Sequence, residues 1–135
     1  MNYPILISKN ALESDYKLSV PDLPGCQLKA PSISKAMESV DEAIASHLSI
    51  LAEYGENIPS AKPIEFHMEN CSEENPIWAL VNFDILPYLG KSHKINVTLP
   101  ELLIKQIDDR VNISADHKTR SGFIASACLK ELNKR

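Results

Sequence analysis

Cysteine is scarce in this 135-residue chain, and the three present, Cys26, Cys71 and Cys128, are odd in number and far apart. That excludes a disulfide framework and fits a reducing cytoplasm. No apolar run approaches the length of a membrane helix, and Met1-Asn-Tyr-Pro-Ile-Leu-Ile lacks the basic leader and small-residue cleavage site of a secretory signal. The four histidines, His47, His67, His93 and His117, stand at no close ligand spacing to one another or to the cysteines, so no metal site is expected. Scattered Ser, His and Asp residues likewise spell no catalytic triad. Positive charge is in deficit as well: 14 Lys and Arg against 18 Asp and Glu leave a net charge of -4.

That modest net charge conceals a division. From Lys91 to Arg135 there are nine basic residues against five acidic ones, a balance of +4; from Met1 to Gly90 the balance is -8. Opposite signs in the two halves point to different partners. A positive C-terminal unit suits phosphates, whereas a strongly acidic N-terminal unit repels DNA and attracts a basic partner, unless its charge serves solubility alone. We therefore read two domains, 1–90 and 91–135.

The C-terminal part is the more explicit. Ile95, Val97 and Leu99 alternate with Lys94, Asn96 and Thr98, the period of a strand with one apolar and one polar face. Pro100 suits the first position of a helix, and Leu103, Ile107 and Val111 then recur every four residues along one helical side. After a polar break over 112–118, Thr119 can cap a second helix from Arg120 to about Asn133. Forty-two residues arranged as strand, helix, helix are too few to bury a core alone. Pairing the strand with its copy from a second chain solves that problem and satisfies the strand's backbone. The doubled ribbon turns Lys94, Asn96 and Thr98 outward. A two-stranded ribbon fits the major groove, where ammonium, amide and hydroxyl groups read base edges. Thr119, Arg120 and Ser121, at the second helix start, are placed to hold a backbone phosphate.

In the N-terminal part, Tyr3–Ser8 reads as a buried strand and Tyr16–Val20 as a second. Pro21-Asp22-Leu23-Pro24-Gly25 is a rigid turn, and 26–29 returns as a third strand. Ser32 or Ser34 can cap a helix carrying Ile33, Met37, Val40, Ile44, Leu48 and Leu51 on one side, ended by Gly55. Glu38, Asp41 and Glu42 cluster early in it, where acids favour the helix dipole. His47 falls among its apolar positions and reads as half-buried. Residues 64–68 are a short strand or a lead-in, 78–85 is a strand with Trp78 and Phe83 in the core, and 87–92 links the halves. The sum is an α+β domain followed by a strand-helix-helix unit.

Two families are resembled on these residues. Lys94-Ile-Asn-Val-Thr-Leu-Pro-Glu101, Ile107-Asp108 and Thr119-Arg-Ser-Gly-Phe-Ile124 resemble the ribbon-helix-helix DNA-binding repressors. The run from Tyr16 through Val20-Pro-Asp-Leu-Pro-Gly-Cys26, the helix start at Ser32, Gly55-x-x-Ile58-Pro59, and Val81-x-Phe-Asp84 to Tyr88-Leu-Gly-Lys91 resemble the HicB antitoxin family, with Ala30-Pro31 as a departure. The resemblance implies a partial ribonuclease-H-like N-terminal domain. It also implies a type II toxin-antitoxin pair and a basic, mRNA-cleaving HicA-type toxin as the partner. It further implies repression of the protein's own operon through operator DNA, bound as a homodimer or tetramer. Asp22 is carried over by motif as a toxin contact; the reading preferred over that is a turn-stabilising aspartate that accepts backbone N–H groups. Glu38, Asp41 and Glu42 are a solvated face or a toxin-facing one. Nuclease activity in the domain itself is not expected: Asp15, Asp22, Glu38 and Asp84 are present, but the first strand lacks the carboxylate that two-metal chemistry requires. No cofactor is implied. The rival reading is a ribbon-helix-helix repressor whose N-terminal domain senses a small ligand or metal.

Overall fold

The computed structural model describes residues 1–117 and 119–134; Lys118, the last residue of the expected polar break, lies outside them. The chain divides into two compact units, Met1–Gly90 and Lys91–Arg135.

The first unit is built on a four-stranded antiparallel sheet in the order β3-β2-β1-β4, with β1 at Asn2–Ser8, β2 at Tyr16–Ser19, β3 at Gln27–Ala30 and β4 at Ile77–Asn82. The central β1 pairs with β2 along one edge and β4 along the other, which satisfies its backbone. Tyr3, Ile5 and Ile7 are buried, and so is Pro4 between them. Val81 lies across from Tyr3 and Leu18 across from Ile7, so those side chains share one face. Helix α1, Ile33–Glu53, packs on β2 and β3 and buries Ala36, Val40, Ile44 and Leu48 at spacings of four. Complete burial of Ile44 and Leu48 contributes roughly 1.5–3 kcal/mol each.

The helix ends are set by side-chain chemistry. Ser32 adopts an extended backbone and its Oγ accepts the Lys35 N–H at 3.1 Å. Past Glu53, Gly55 takes φ +68; its N–H bonds the Ala52 carbonyl while that of Glu56 reaches Leu51, a Schellman closure. Since the first turn of α1 holds no acidic residue, Glu38, Asp41 and Glu42 lie beyond the reach of the dipole effect expected for them.

Two further expectations need correction. Residues 64–69 form a short helix, α2. The alternating Ile64-Glu-Phe-His-Met run suits either structure, and the decision is made by what its side chains meet, as described below. The expected strand 78–85 stops at Asn82, because the Asp84 Oδ1 accepts the Leu86 N–H at 3.1 Å and turns the chain into a 3-10 turn at Leu86–Tyr88. Trp78 and Phe83 are half-buried rather than core, whereas Val81 and Ile85 are buried. His47 is half-buried. Cys26 is buried and free, as Cys71 and Cys128 are free.

The second unit holds α3, Glu101–Ile113, and α4, Arg120–Leu132, packed on each other. Pro100 sits just before α3 with ψ 141 rather than inside it, and its carbonyl accepts the Ile104 N–H. α3 runs two residues past Val111 before Ser114 turns extended.

Candidate functional site

In the first unit, the Pro-Asp-Leu-Pro-Gly turn closes on itself through backbone bonds, Leu23 N–H to Val20 O and Cys26 N–H to Leu23 O, both 2.9 Å. Gly25 supplies the φ of +89 the bend demands. The turn thereby points Asp22 inward, where the residue is only 8% exposed. Its Oδ1 accepts the Lys62 backbone N–H at 3.1 Å, and its Oδ2 lies 3.0 Å from His67 Nε2. That last pair does not meet hydrogen-bond geometry, so the two side chains are in close contact without a bond. Beside it, the Tyr3 hydroxyl donates to the Pro59 carbonyl at 3.0 Å. Burial, reinforced by the Asp22 charge, pushes the Tyr3 phenol up to about 12. Asp22 thus fastens the 58–69 strap and α2 to the sheet. It is neither a surface residue nor bonded within its own turn. His67 was invisible as its partner in the sequence, since no local pattern links residues 45 positions apart.

Glu38, Asp41 and Glu42 stand exposed on α1, away from its buried stripe. Lys35 reaches Glu38 at 3.5 Å, an exposed pair of little energetic weight. An open, polar depression lined by Ser8, Asn10, Glu13, Lys17, Lys29 and Glu73 mixes both signs of charge. Among the described residues no group of three or more His, Cys, Asp or Glu side chains could hold a metal ion, and no helix is long and apolar enough to cross a membrane.

In the second unit, residues 94–99 belong to no strand of the described chain. Lys94, Asn96 and Thr98 are exposed, and so are Ile95 at 78% and Val97 at 63%. Of the apolar side of the alternation, expected to face inward, Ile95 and Val97 are therefore bare in a single chain while Leu99 is half-buried. Leu102, Leu103, Ile113 and Leu132 are exposed too, and among the described residues Ile107 is the buried hydrophobic of this unit. At the start of α4, Thr119 has an extended backbone and its Oγ1 accepts the Gly122 N–H at 3.0 Å. Arg120 and Ser121 follow, both exposed. Arg120 makes a contact the sequence reading missed: Nε donates to Asp108 Oδ1 at 2.9 Å and Nη2 to Oδ2 at 2.7 Å. The Arg120 hydrogen bonds hold the Asp108 carboxyl below its usual range.

The model of the HicB-like antitoxins of bacterial toxin-antitoxin systems matches residues 3–128. The chain belongs to this family. A 14.9 kDa protein of the rep-hol intergenic region of Haemophilus phage HP1 is 35% identical over 132 residues, 98% of each chain. The crystal structure of the Burkholderia pseudomallei antitoxin HicB superposes with a TM-score of 0.71 at 34% identity, covering 98% of both chains. A HicA3–HicB3 toxin-antitoxin complex matches 62% of this chain and 99% of the compared chain, at 28% identity and a TM-score of 0.52. This HicB-like antitoxin is a mixed α+β protein, as those structures are.

Proposed function

We propose that this antitoxin has two regulatory tasks, one per unit, and no catalytic one. The acidic first unit, read as a partial ribonuclease-H-like fold, binds a small, basic, mRNA-cleaving HicA-type toxin in the cytoplasm and covers the cationic surface its RNA would use. The HicA3–HicB3 complex among its relatives supports this partner. Glu38, Asp41 and Glu42 are the acids assigned to that face; Asp22 is left to the fold on account of its burial.

The second unit dimerises through residues 94–99 as a ribbon-helix-helix domain and represses the protein's own operon. One observation carries this reading: an alternating segment whose apolar side chains, Ile95 and Val97, are bare and whose backbone belongs to no sheet of its own chain. Apolar surface left in water and unpaired strand backbone both favour a second copy. In the ribbon so formed, Lys94, Asn96 and Thr98 read bases, while Thr119, Arg120 and Ser121 take phosphate, with two dimers joining in a tetramer where operator half-sites require it.

A gel-shift titration with duplex DNA from upstream of the gene tests the reading. Asn96→Ala should weaken binding by about 1–3 kcal/mol for a lost amide-to-base contact, while toxin neutralisation in a co-expression growth assay stays intact. Unchanged affinity for that duplex rejects the ribbon assignment.

A further inference from the structure

The Arg120–Asp108 contact has more order than phosphate binding alone needs. Two exposed side chains on different helices meet through two parallel hydrogen bonds, 2.9 and 2.7 Å, with the arginine side chain 54% and the aspartate side chain 42% exposed. Exposed ion pairs usually contribute little to stability, and bidentate arginine–carboxylate pairs such as this one are the exception, so joining the two helices is one role for the contact. Its geometry is more informative. Asp108 takes the guanidinium side-on, through Nε and one Nη2 hydrogen. That leaves Nη1 and the second Nη2 hydrogen, the end-on edge, without a partner among the described residues. An end-on guanidinium edge is the shape that grips a phosphate with two parallel bonds.

We propose that Asp108 is a positioning residue for DNA binding: it fixes Arg120 so that the end-on edge of the guanidinium is already aimed at a backbone phosphate. The inference rests on the reading of the second unit as a DNA-binding domain. A free arginine must surrender its rotamer freedom when it binds, whereas a side chain held in place has little left to lose.

The sign of one measurement decides the matter. Asp108 carries a negative charge beside a polyanion, so by charge alone its removal tightens DNA binding. By positioning, removal weakens it. The full-length wild type, Asp108→Asn, Arg120→Lys and the double variant are titrated against the upstream duplex at one fixed salt concentration, with circular dichroism to check helix content. Asp108→Asn should weaken binding about fivefold or more, from the ordering cost of one long side chain per protomer. Arg120→Lys keeps the charge but lacks the fork, and should lose a comparable factor. The double variant should be no weaker than either single one, because both changes break the same unit. Affinity that rises or holds in Asp108→Asn, or losses that multiply in the double variant, overturns the proposal. Should Asp108→Asn fail to fold, Asp108→Glu replaces it: charge is kept and the carboxylate displaced, so a loss supports positioning and unchanged affinity refutes it. Absence of wild-type binding removes the DNA reading and this inference together; wild-type binding undiminished in the variants removes this inference alone.

Discussion

Removing the Asp22 carboxylate separates its two readings, because a structural role and a surface contact predict opposite patterns. In Asp22→Ala the Lys62 N–H loses its charged acceptor at 3.1 Å and His67 Nε2 loses the carboxylate 3.0 Å away. The His67 side chain stays under cover at 9% exposed, whereas the Lys62 N–H is only partly buried. A hydrogen bond to a charged acceptor contributes roughly 1.5–3 kcal/mol, and leaving a buried polar partner unsatisfied costs about 1–3 more. With some relaxation of the strap, the loss comes to about 3 kcal/mol. For a unit the size of Met1–Gly90, that lowers Tm by about 15 °C, read by calorimetry or circular dichroism. Asp22→Asn keeps an oxygen for the Lys62 N–H and should recover about half of the loss. At a temperature where the variants are folded, both should still neutralise the toxin in the growth assay. A Tm for Asp22→Ala within about 2 °C of wild type, accompanied by lost toxin binding, would refute the buried-latch account and restore Asp22 to the contact surface.

Three further outcomes follow from the same structure. The Tyr3 phenol is raised from 10.0 to about 12 on folding; the protonated form is thus favoured in the folded state, its stabilisation is complete below pH 10, and it is lost as pH climbs through about 12. The loss comes to about 3 kcal/mol, against about 1 kcal/mol that Tyr3→Phe costs at neutral pH through the lost bond to Pro59, so in denaturant melts the wild type should lead at neutral pH, cross the variant between pH 10 and 12 and end about 2 kcal/mol less stable. A constant difference from pH 9 to 12 contradicts the assignment. Reversing Glu38, Asp41 and Glu42 to lysine should leave Tm nearly unchanged, since the three are exposed. The same change should slow toxin association by about tenfold or more at low salt; an unchanged association rate in stopped flow removes these acids from the interface. Placing aspartate at Val97 should disperse the dimer in analytical ultracentrifugation, because a charge would enter the apolar side of the shared ladder; a dimer that persists argues against pairing through residues 94–99.

How much of this was legible in advance differs from element to element. Local pattern located β1, β2, α1, α3 and α4: an apolar run for β1, alternation for β2, a repeat of three to four for α1 and α3, and the Thr119 cap for α4, with Ser32 as a cap and Gly55 as a stop for α1. The charge division between residues 1–90 and 91–135 was equally plain, being a matter of counting. Such features depend on neighbours within a turn or two, so the order of residues suffices to determine them. Three things were decided elsewhere. Residues 64–69 became a helix because His67 meets Asp22 and the Asn70 side chain donates back to the Phe66 carbonyl. Asp22 turned inward because the strap supplies the donor its carboxylate needs. Arg120 lies on Asp108 because two helices bring positions twelve apart face to face. In each case a polar group's partner comes from a distant segment. Local sequence states which groups need partners, and only the packed chain determines which partners they find.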